Sequence, residues 1–477
     1  MTKVRNALFI VLGLALVLLI LQCPRSLFGL GELIPDGYVF KYIAVRITEG
    51  EMPYLDIFDH KGPLIYLIDL LGVVIHKDYG LFIVEFIFAA VSAVFMYLIP
   101  RKIGCDSIKS SLVAIAAMAF YISVFEAGNF TEEFALPFIL FSLWVFIDYF
   151  KNDKVTALRL ILLGISFGAI MLLRPNMAGL WAVFCIAVII KCVASKQIKK
   201  MFIYILEFLL GSVMIIAPVM LWLYAKGALN ACYENYILFN LKYSDSDAVL
   251  RSIAMMDMIS RPYIIATFIA LAALLVLLSK YKLPIPKTVF AFALYFILQS
   301  VLFTMAGTSY DHYYITAVPF LIYPVSELAK ILEDKGRNKA GYIITAAIAL
   351  MFSYSFVFAS INIYDYTVGK RRVPESVSEL VDAVNNEKGE DDTLIMFGNW
   401  DYLYLATDMR SATRYTYTKP IIYLDHEIMV DYFNELNNNK PDILVLEFIN
   451  DEIREFIKDN QYEVFYESKY YIALKRT

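Results

Sequence analysis

Charge is scarce in this chain. Only 18% of its 477 residues are Asp, Glu, Lys or Arg, where an ordinary soluble protein carries about 25%. Sixty per cent are apolar, against roughly 45–50%, and the mean hydropathy is +0.61. So much apolar surface does not fit one soluble core, because cores stop growing beyond ~250–300 residues. A single soluble enzyme is excluded, and so is a disordered chain, which needs low hydrophobicity. The net charge of −4 lacks the basic excess that a nucleic-acid partner requires. Cysteine is also sparse. Cys23, Cys105, Cys185, Cys192 and Cys232 show neither paired nor metal-type spacing, which excludes a disulfide framework and a Cys-based zinc site. No glycine-rich phosphate loop is present; Gly398-Asn399 alone is too little. Cys23 follows an apolar run, but Leu21-Gln22 lack the small residue that lipoprotein processing needs, and there is no small-residue signal-peptidase site. Ala7–Gln22 therefore reads as an uncleaved first transmembrane helix.

What the chain has is long apolar runs. A spanning helix needs ~20 mostly apolar residues, with a range of roughly 17–25. Eleven candidates lie near 6–23, 80–99, 108–125, 132–150, 157–173, 176–192, 202–225, 263–279, 288–306, 312–331 and 340–360. With Lys3 and Arg5 inside, the inside segments carry 19 Lys/Arg and the longer outside segments carry 10. That bias predicts a cytoplasmic N-terminus and, after eleven spans, a C-terminal region on the far side. From Lys370 onward the chain holds 13 Lys/Arg and 21 Asp/Glu, a net of −8, while the part upstream is net +4. Two domains follow: a membrane body over 1–365 and an acidic extracytoplasmic domain over 366–477. The expected fold class is a multi-pass α-helical membrane protein with a small C-terminal α/β domain.

Two outside loops are long, about 24–79 and 226–262, and long loops in compact structures are usually functional. In the first, Tyr38–Ile47 carries apolar residues at helical spacing, and Leu64–Ile75 is a short apolar run. Both are too short to span and suit helices lying in the membrane interface. In the tail, Thr393–Phe397, Ile443–Phe448, Tyr462–Tyr466 and Tyr470–Leu474 read as strands, and Asp401–Thr407, Asp425–Asn437 and Asp451–Lys458 as helices.

The chemistry concentrates in the first loop. Asp36 follows Pro35 and starts the first interfacial helix. Then come Gly50, Pro53, Tyr54, Asp56, Asp59, His60, Lys61, Gly62 and Pro63. Singly, Asp36 is a good helix cap and Asp56 and Asp59 are ordinary turn residues. Three acids, a His and a Lys within about 25 residues point to a site.

In this order the residues resemble the first extracytoplasmic loop of the GT-C membrane glycosyltransferases, the protein mannosyltransferases and the lipid A aminoarabinose transferase among them. The layout is similar too: many spans, a long first outside loop with two interfacial helices, and an outside C-terminal domain. One departure is Asp36-Gly37, where the family often has Asp-Glu. The resemblance implies a polyprenyl-phosphate-linked sugar as donor, drawn from the membrane lipid, and a hydroxyl acceptor on a glycan, lipid or protein. A carboxylate must then remove the acceptor's proton, and Asp36 is the candidate. The departing phosphate needs fixed positive charge; Lys61 is the first candidate and Arg174 the second, since Arg offers bidentate geometry. A lone base predicts inversion at the sugar carbon, with no second carboxylate as nucleophile.

Other residues carry two readings each. Arg174 sits at the outside end of a span, either on phosphate or snorkelling to headgroups. Thr131-Glu132-Glu133 opens the fourth span: Thr131 suits an N-cap and the acids suit a first turn, or Glu132 and Glu133 face the substrate. Asp311-His312 could orient the donor phosphate, and Tyr313 and Tyr314 fit an interfacial aromatic belt, with Tyr313 also a substrate-contact candidate. Tyr54, Asp56, Asp59 and His60 complete the candidate acceptor-binding set. No cofactor is certain; a divalent metal on His60, His312 and Asp56 or Asp59 is left open, because no spacing supports it. The loop Cys232–Asp247, with Tyr233, Tyr236, Phe239, Tyr243, Asp245 and Asp247, could dock a prenyl chain or sugar, or simply pack. Tyr402, Tyr404, Tyr415 and Tyr417 suggest ring stacking on carbohydrate. Two alternatives stand beside transfer. A polysaccharide polymerase or ligase would want several outside Arg/His. A flippase or transporter would show internal repeats and mid-span breaks; no repeat is seen here, and the charged residues sit at span ends.

Overall fold

The computed structural model describes residues 2–22, 35–126, 128–243, 247–368, 375–418, 422 and 425–477. Cys23 and Asp245 fall outside them, as does the start of the first long loop. Among the described residues nine helices are long and apolar enough to cross a membrane: Thr2–Leu21, Gly80–Ile103, Ser107–Val124, Thr131–Asn152, Ile198–Ala225, Pro262–Lys280, Lys287–Thr304, Asp311–Asp334 and Asn338–Asp365. The two other expected spans are also helices, Ala157–Leu173 and Gly179–Ala194, of 17 and 16 residues. They stand at the short end of what a bilayer needs. The chain is a multi-pass helical membrane protein.

Its residues gather into two compact units. One comprises Met1–Leu27, Phe82–Leu221 and Ser244–Tyr364; the other comprises Phe28–Leu81, Trp222–Tyr243 and Asp365–Thr477.

The first unit is the helical body. Polar caps start its helices where the sequence offers them: Asp106 accepts from the backbone amides of Ile108 and Lys109, and Thr156 accepts from that of Arg159. Hydrophobicity does not draw helices together inside lipid, so close packing through small residues does. Helices Ala157–Leu173 and Ile198–Ala225 show this. A Cβ on Gly164 would sit 1.9 Å from the Phe208 carbonyl oxygen, and one on Gly211 would sit 1.9 Å from that of Ile161. The Ser212 hydroxyl donates to the Gly164 carbonyl at 3.1 Å. At the opposite helix ends charges are paired: buried Lys109 bonds Asp106 and Glu333 at 2.7 and 2.9 Å, and Asp148 receives Lys102 and Arg159.

The second unit joins two short helices to an α/β domain. Helix Pro35–Thr48 has proline first and Asp36 in its first turn, a favourable helix start. Helix Pro63–Ile75 repeats the proline start after Gly62. At 14 and 13 residues neither can span. The domain's strands are β1 (Thr393–Phe397), β2 (Arg410–Ser411), β3 (Ile443–Leu446), β4 (Tyr462–Glu467) and β5 (Ile472–Arg476), in the order β2-β1-β3-β5-β4. β1 runs parallel to β2 and β3; β5 is antiparallel to β3 and β4. β3 is fully buried and β1 is buried from Leu394 onward; both are apolar runs there, as central strands covered on both faces require. Helices Glu375–Glu387, Tyr402–Thr407, His426–Asn439 and Asp451–Asp459 accompany the sheet.

Candidate active site

Asp36 and Lys61 meet. The Lys61 ammonium lies 3.7 Å from the Asp36 carboxylate and 3.1 Å from His60 Nε2. An ammonium only donates, so Nε2 carries the lone pair and Nδ1 the proton. His60 Nδ1 then faces Asp59 Oδ1 at 3.4 Å. The arrangement fits a neutral imidazole between a carboxylate and an ammonium. Asp36 is about half exposed, with 44% side-chain accessibility, and Lys61 is mostly covered.

Asp59 lies behind them, 2% exposed. Its Oδ2 accepts from the Tyr66 hydroxyl at 2.7 Å; its Oδ1 accepts from the His60 amide at 2.7 Å and from the Tyr417 hydroxyl at 2.9 Å. Burial raises its carboxyl above the ordinary range, while Lys61 and these hydrogen bonds pull it down. A carboxylate so enclosed braces a turn and has no exposed oxygen to offer a reacting carbon. Tyr54 is fully buried and also braces: its hydroxyl donates to the Lys61 carbonyl at 2.7 Å. Its φ of +70° is a conformation that costs a bulky residue of order 1–3 kcal/mol and is found at functional sites. Asp56 does not join them. Its carboxylate accepts from the Met52 amide at 2.7 Å and closes a turn.

The segment 229–243 contributes two asparagines. Asn235 Nδ2 donates to the Tyr54 carbonyl at 3.1 Å, and Asn240 Nδ2 to the His60 carbonyl at 2.5 Å. The Phe239 ring meets Phe58 edge-on at 5.7 Å and His60 at a tilt at 5.4 Å. Asn235 belongs to a π-helical turn, Tyr233–Leu238, a rare geometry frequent at functional sites. The loop's asparagines thus reach the site through amide groups, where the sequence drew attention to its aromatics. Asp247 caps helix Ala248–Ser260.

The other sequence-derived candidates gather in the helical body. Arg174 bonds Glu132 Oε1 at 2.5 Å and lies over the Tyr313 ring, 4.3 Å from its centre. The Thr131 hydroxyl donates to the other Glu132 oxygen at 2.8 Å. Thr131, expected as the N-cap, is instead the first helical residue after Phe130, because its hydroxyl serves Glu132. Glu133 accepts from the Asn129 amide at 2.7 Å. His312 faces Glu126 at 3.0 Å and stacks flat on Phe130 at 4.0 Å. A Cβ on Gly128, whose φ is +75°, would lie 2.8 Å from Glu85 and 3.2 Å from Glu133, so only glycine suits this turn. The Arg174 cation is already balanced by Glu132.

Among the described residues no group of three His, Cys, Asp or Glu is placed to hold a metal. Of the tail tyrosines, Tyr404, Tyr415 and Tyr417 are buried and Tyr402 packs on Tyr38. They are packing and hydrogen-bonding groups rather than open stacking platforms. The sequence offers no signal for Tyr66, Asn235 or Asn240, and it suggests ring stacking for Tyr417, which is buried with its hydroxyl on Asp59. Asp401 was read only as a helix start. No spacing signals any of these contacts, since the Tyr417–Asp59 pair is separated by 358 residues.

The crystal structure of ArnT from Cupriavidus metallidurans bound to undecaprenyl phosphate is similar over 98% of this chain and 98% of that one, with a TM-score of 0.66 at 12% identity. The same protein in the apo state gives 0.63 at 11% identity, over 98% and 97%. The Archaeoglobus fulgidus oligosaccharyltransferase, in complex with zinc and sulfate, gives 0.45 at 12% identity, over 98% and 73%. ArnT is a GT-C protein, and the likeness to it shows the GT-C fold that the first-loop motif led us to expect. No curated protein matches the sequence. The family model described as "Putative competence-induced protein Ccs4 N-terminal domain" matches residues 40–366, well over half of the chain, and the chain belongs to that family.

Proposed function

We propose that this protein is an inverting membrane glycosyltransferase that moves a sugar from a polyprenyl-phosphate donor to a hydroxyl on the extracytoplasmic face. The observation that carries the reading is the Asp36–Lys61 juxtaposition, 3.7 Å across, beside the starts of two helices too short to span. Asp36 takes the acceptor's proton as the new bond forms at the anomeric carbon. Lys61 meets the charge that grows on the departing phosphate. Lys61 also precedes the start of helix Pro63–Ile75, whose first turn has no side-chain cap and favours an anion. Asp59 is enclosed by three hydrogen bonds, which argues against a covalent glycosyl-enzyme and for single displacement with inversion. The likeness to a structure bound to undecaprenyl phosphate supports a donor of that class. The Lys/Arg distribution supports a cytoplasmic N-terminus and an extracytoplasmic C-terminal domain.

The test compares lipid-linked sugars and surface glycans in cells with and without the protein. Transfer predicts that the lipid-linked sugar accumulates on the outer leaflet while a surface glycan loses one residue. Accumulation on the cytoplasmic leaflet alone contradicts the reading and favours flipping.

A further inference from the structure

Lys61 is placed by its backbone, and the Asp59–Lys61 turn is held from two directions. Tyr54 and Tyr66, which flank it in sequence, hold it from within the first loop. Tyr417 holds it from the C-terminal domain, donating to Asp59 Oδ1 at 2.9 Å and lying 3.4 Å from His60 Nδ1. Both Asp59 and Tyr417 are buried, so this bond to an ionisable group is shielded from water and stronger than an exposed one.

The residues on either side fix Tyr417 to its own domain. The Thr416 hydroxyl donates to Asp401 at 2.6 Å. Both the amide and the hydroxyl of Thr418 donate to the Gly398 carbonyl, just past β1, at 2.9 and 3.0 Å. The same segment is tied to the first loop at three further points. The Phe58 amide donates to the Arg414 carbonyl at 2.7 Å, the Ser411 amide to the Tyr42 hydroxyl at 3.0 Å, and Arg410 pairs with Glu49 at 2.8 Å. Packing alone needs no hydroxyl at 417. This one is delivered by a pinned segment to the carboxylate that sets the lysine's turn.

Resting on the glycosyl-transfer reading, we propose that Tyr417 is a positioning residue for the donor phosphate. Through Asp59 it sets Lys61, and the C-terminal domain is thereby a working part of the site. The family match ends at residue 366, so it assigns nothing to this domain.

The test is equilibrium binding of undecaprenyl phosphate to the purified full-length protein, giving both Kd and the number of sites. Lys61→Ala weakens Kd about a hundredfold. Tyr417→Phe, which removes one hydroxyl, weakens it about tenfold, the order expected for a lost hydrogen bond to a charged group, with the number of sites unchanged. The double variant binds no more weakly than Lys61→Ala alone, because Tyr417 acts through that lysine. A merely structural Tyr417 would lower the number of sites and leave Kd alone; that result, or additive losses in the double variant, overturns the inference. Asp59→Asn repeats the test from the other end of the bond should Tyr417→Phe fail to fold. If Lys61→Ala weakens binding and Tyr417→Phe does not, the inference alone falls. If Lys61→Ala leaves Kd unchanged, the reading of Lys61 falls with it.

Discussion

Asp401 shows what burial does to one residue of this domain. It is 1% exposed, one oxygen accepts from Thr416, and the other has no hydrogen-bond partner among the described residues. Burial pushes its carboxyl up to about 7; the Thr416 bond opposes this, and the nearby charges of Asp59 and Asp36 add to it. Between pH ~4 and ~7 the folded protein therefore keeps a proton that the unfolded chain has released. Stability falls as pH rises through that window, by on the order of 4 kcal/mol for this group. Asp401→Asn can keep the Thr416 bond and carries no charge. Thermal unfolding is expected to show the variant melting higher than wild type at pH 8, with the gap closing as pH falls toward 4. A constant gap across that range would mean the carboxyl does not titrate in the fold.

At the scale of elements, the buried pair Glu132–Arg174 joins two helix ends, with Tyr313 of a third beneath the guanidinium. Removing one partner leaves an uncompensated buried charge, at a cost of ~3–5 kcal/mol. Glu132→Ala is expected to lower the unfolding midpoint sharply, and Glu132→Ala with Arg174→Met to recover most of the loss. If the double variant is as unstable as the single one, the pair is not the link between these ends. Elements were also the scale most legible in the sequence. Apolar runs of spanning length marked the spans, the helical spacing after Asp36 and the short apolar run after Pro63 marked the two short helices, and short apolar and aromatic runs in the tail marked four of the five strands. These are local signals carried by adjacent residues. β2 is two residues long and offers no period to read. The Glu132–Arg174, Asn240–His60 and Tyr417–Asp59 contacts join residues 42, 180 and 358 positions apart. Hydrophobic periodicity says which face a residue takes but not which distant residue it meets. The Asp36–Lys61 meeting was legible because both lie in the first loop, 25 positions apart, with a motif-like order.

At the scale of the whole molecule, the chain combines a lipid-embedded helical body with a unit built from the first loop, the segment 222–243 and the C-terminal region. The acidic tail thus shares a compact unit with the loop that carries the Asp36–Lys61 pair. The proposed reaction takes place beside the bilayer, with Asp36 as base and Lys61 on the leaving phosphate. The direct test is the transfer rate of Asp36→Asn in purified full-length protein, using the lipid-linked sugar extracted from cells lacking the protein. A general base contributes roughly 10²–10⁴-fold, and Asn cannot take a proton. The expected result is a loss of at least a hundredfold in kcat, with undecaprenyl phosphate bound as tightly as before or more tightly, since Lys61 no longer faces a competing carboxylate. Transfer within a few-fold of wild type would contradict the assignment of Asp36 and the account built on it.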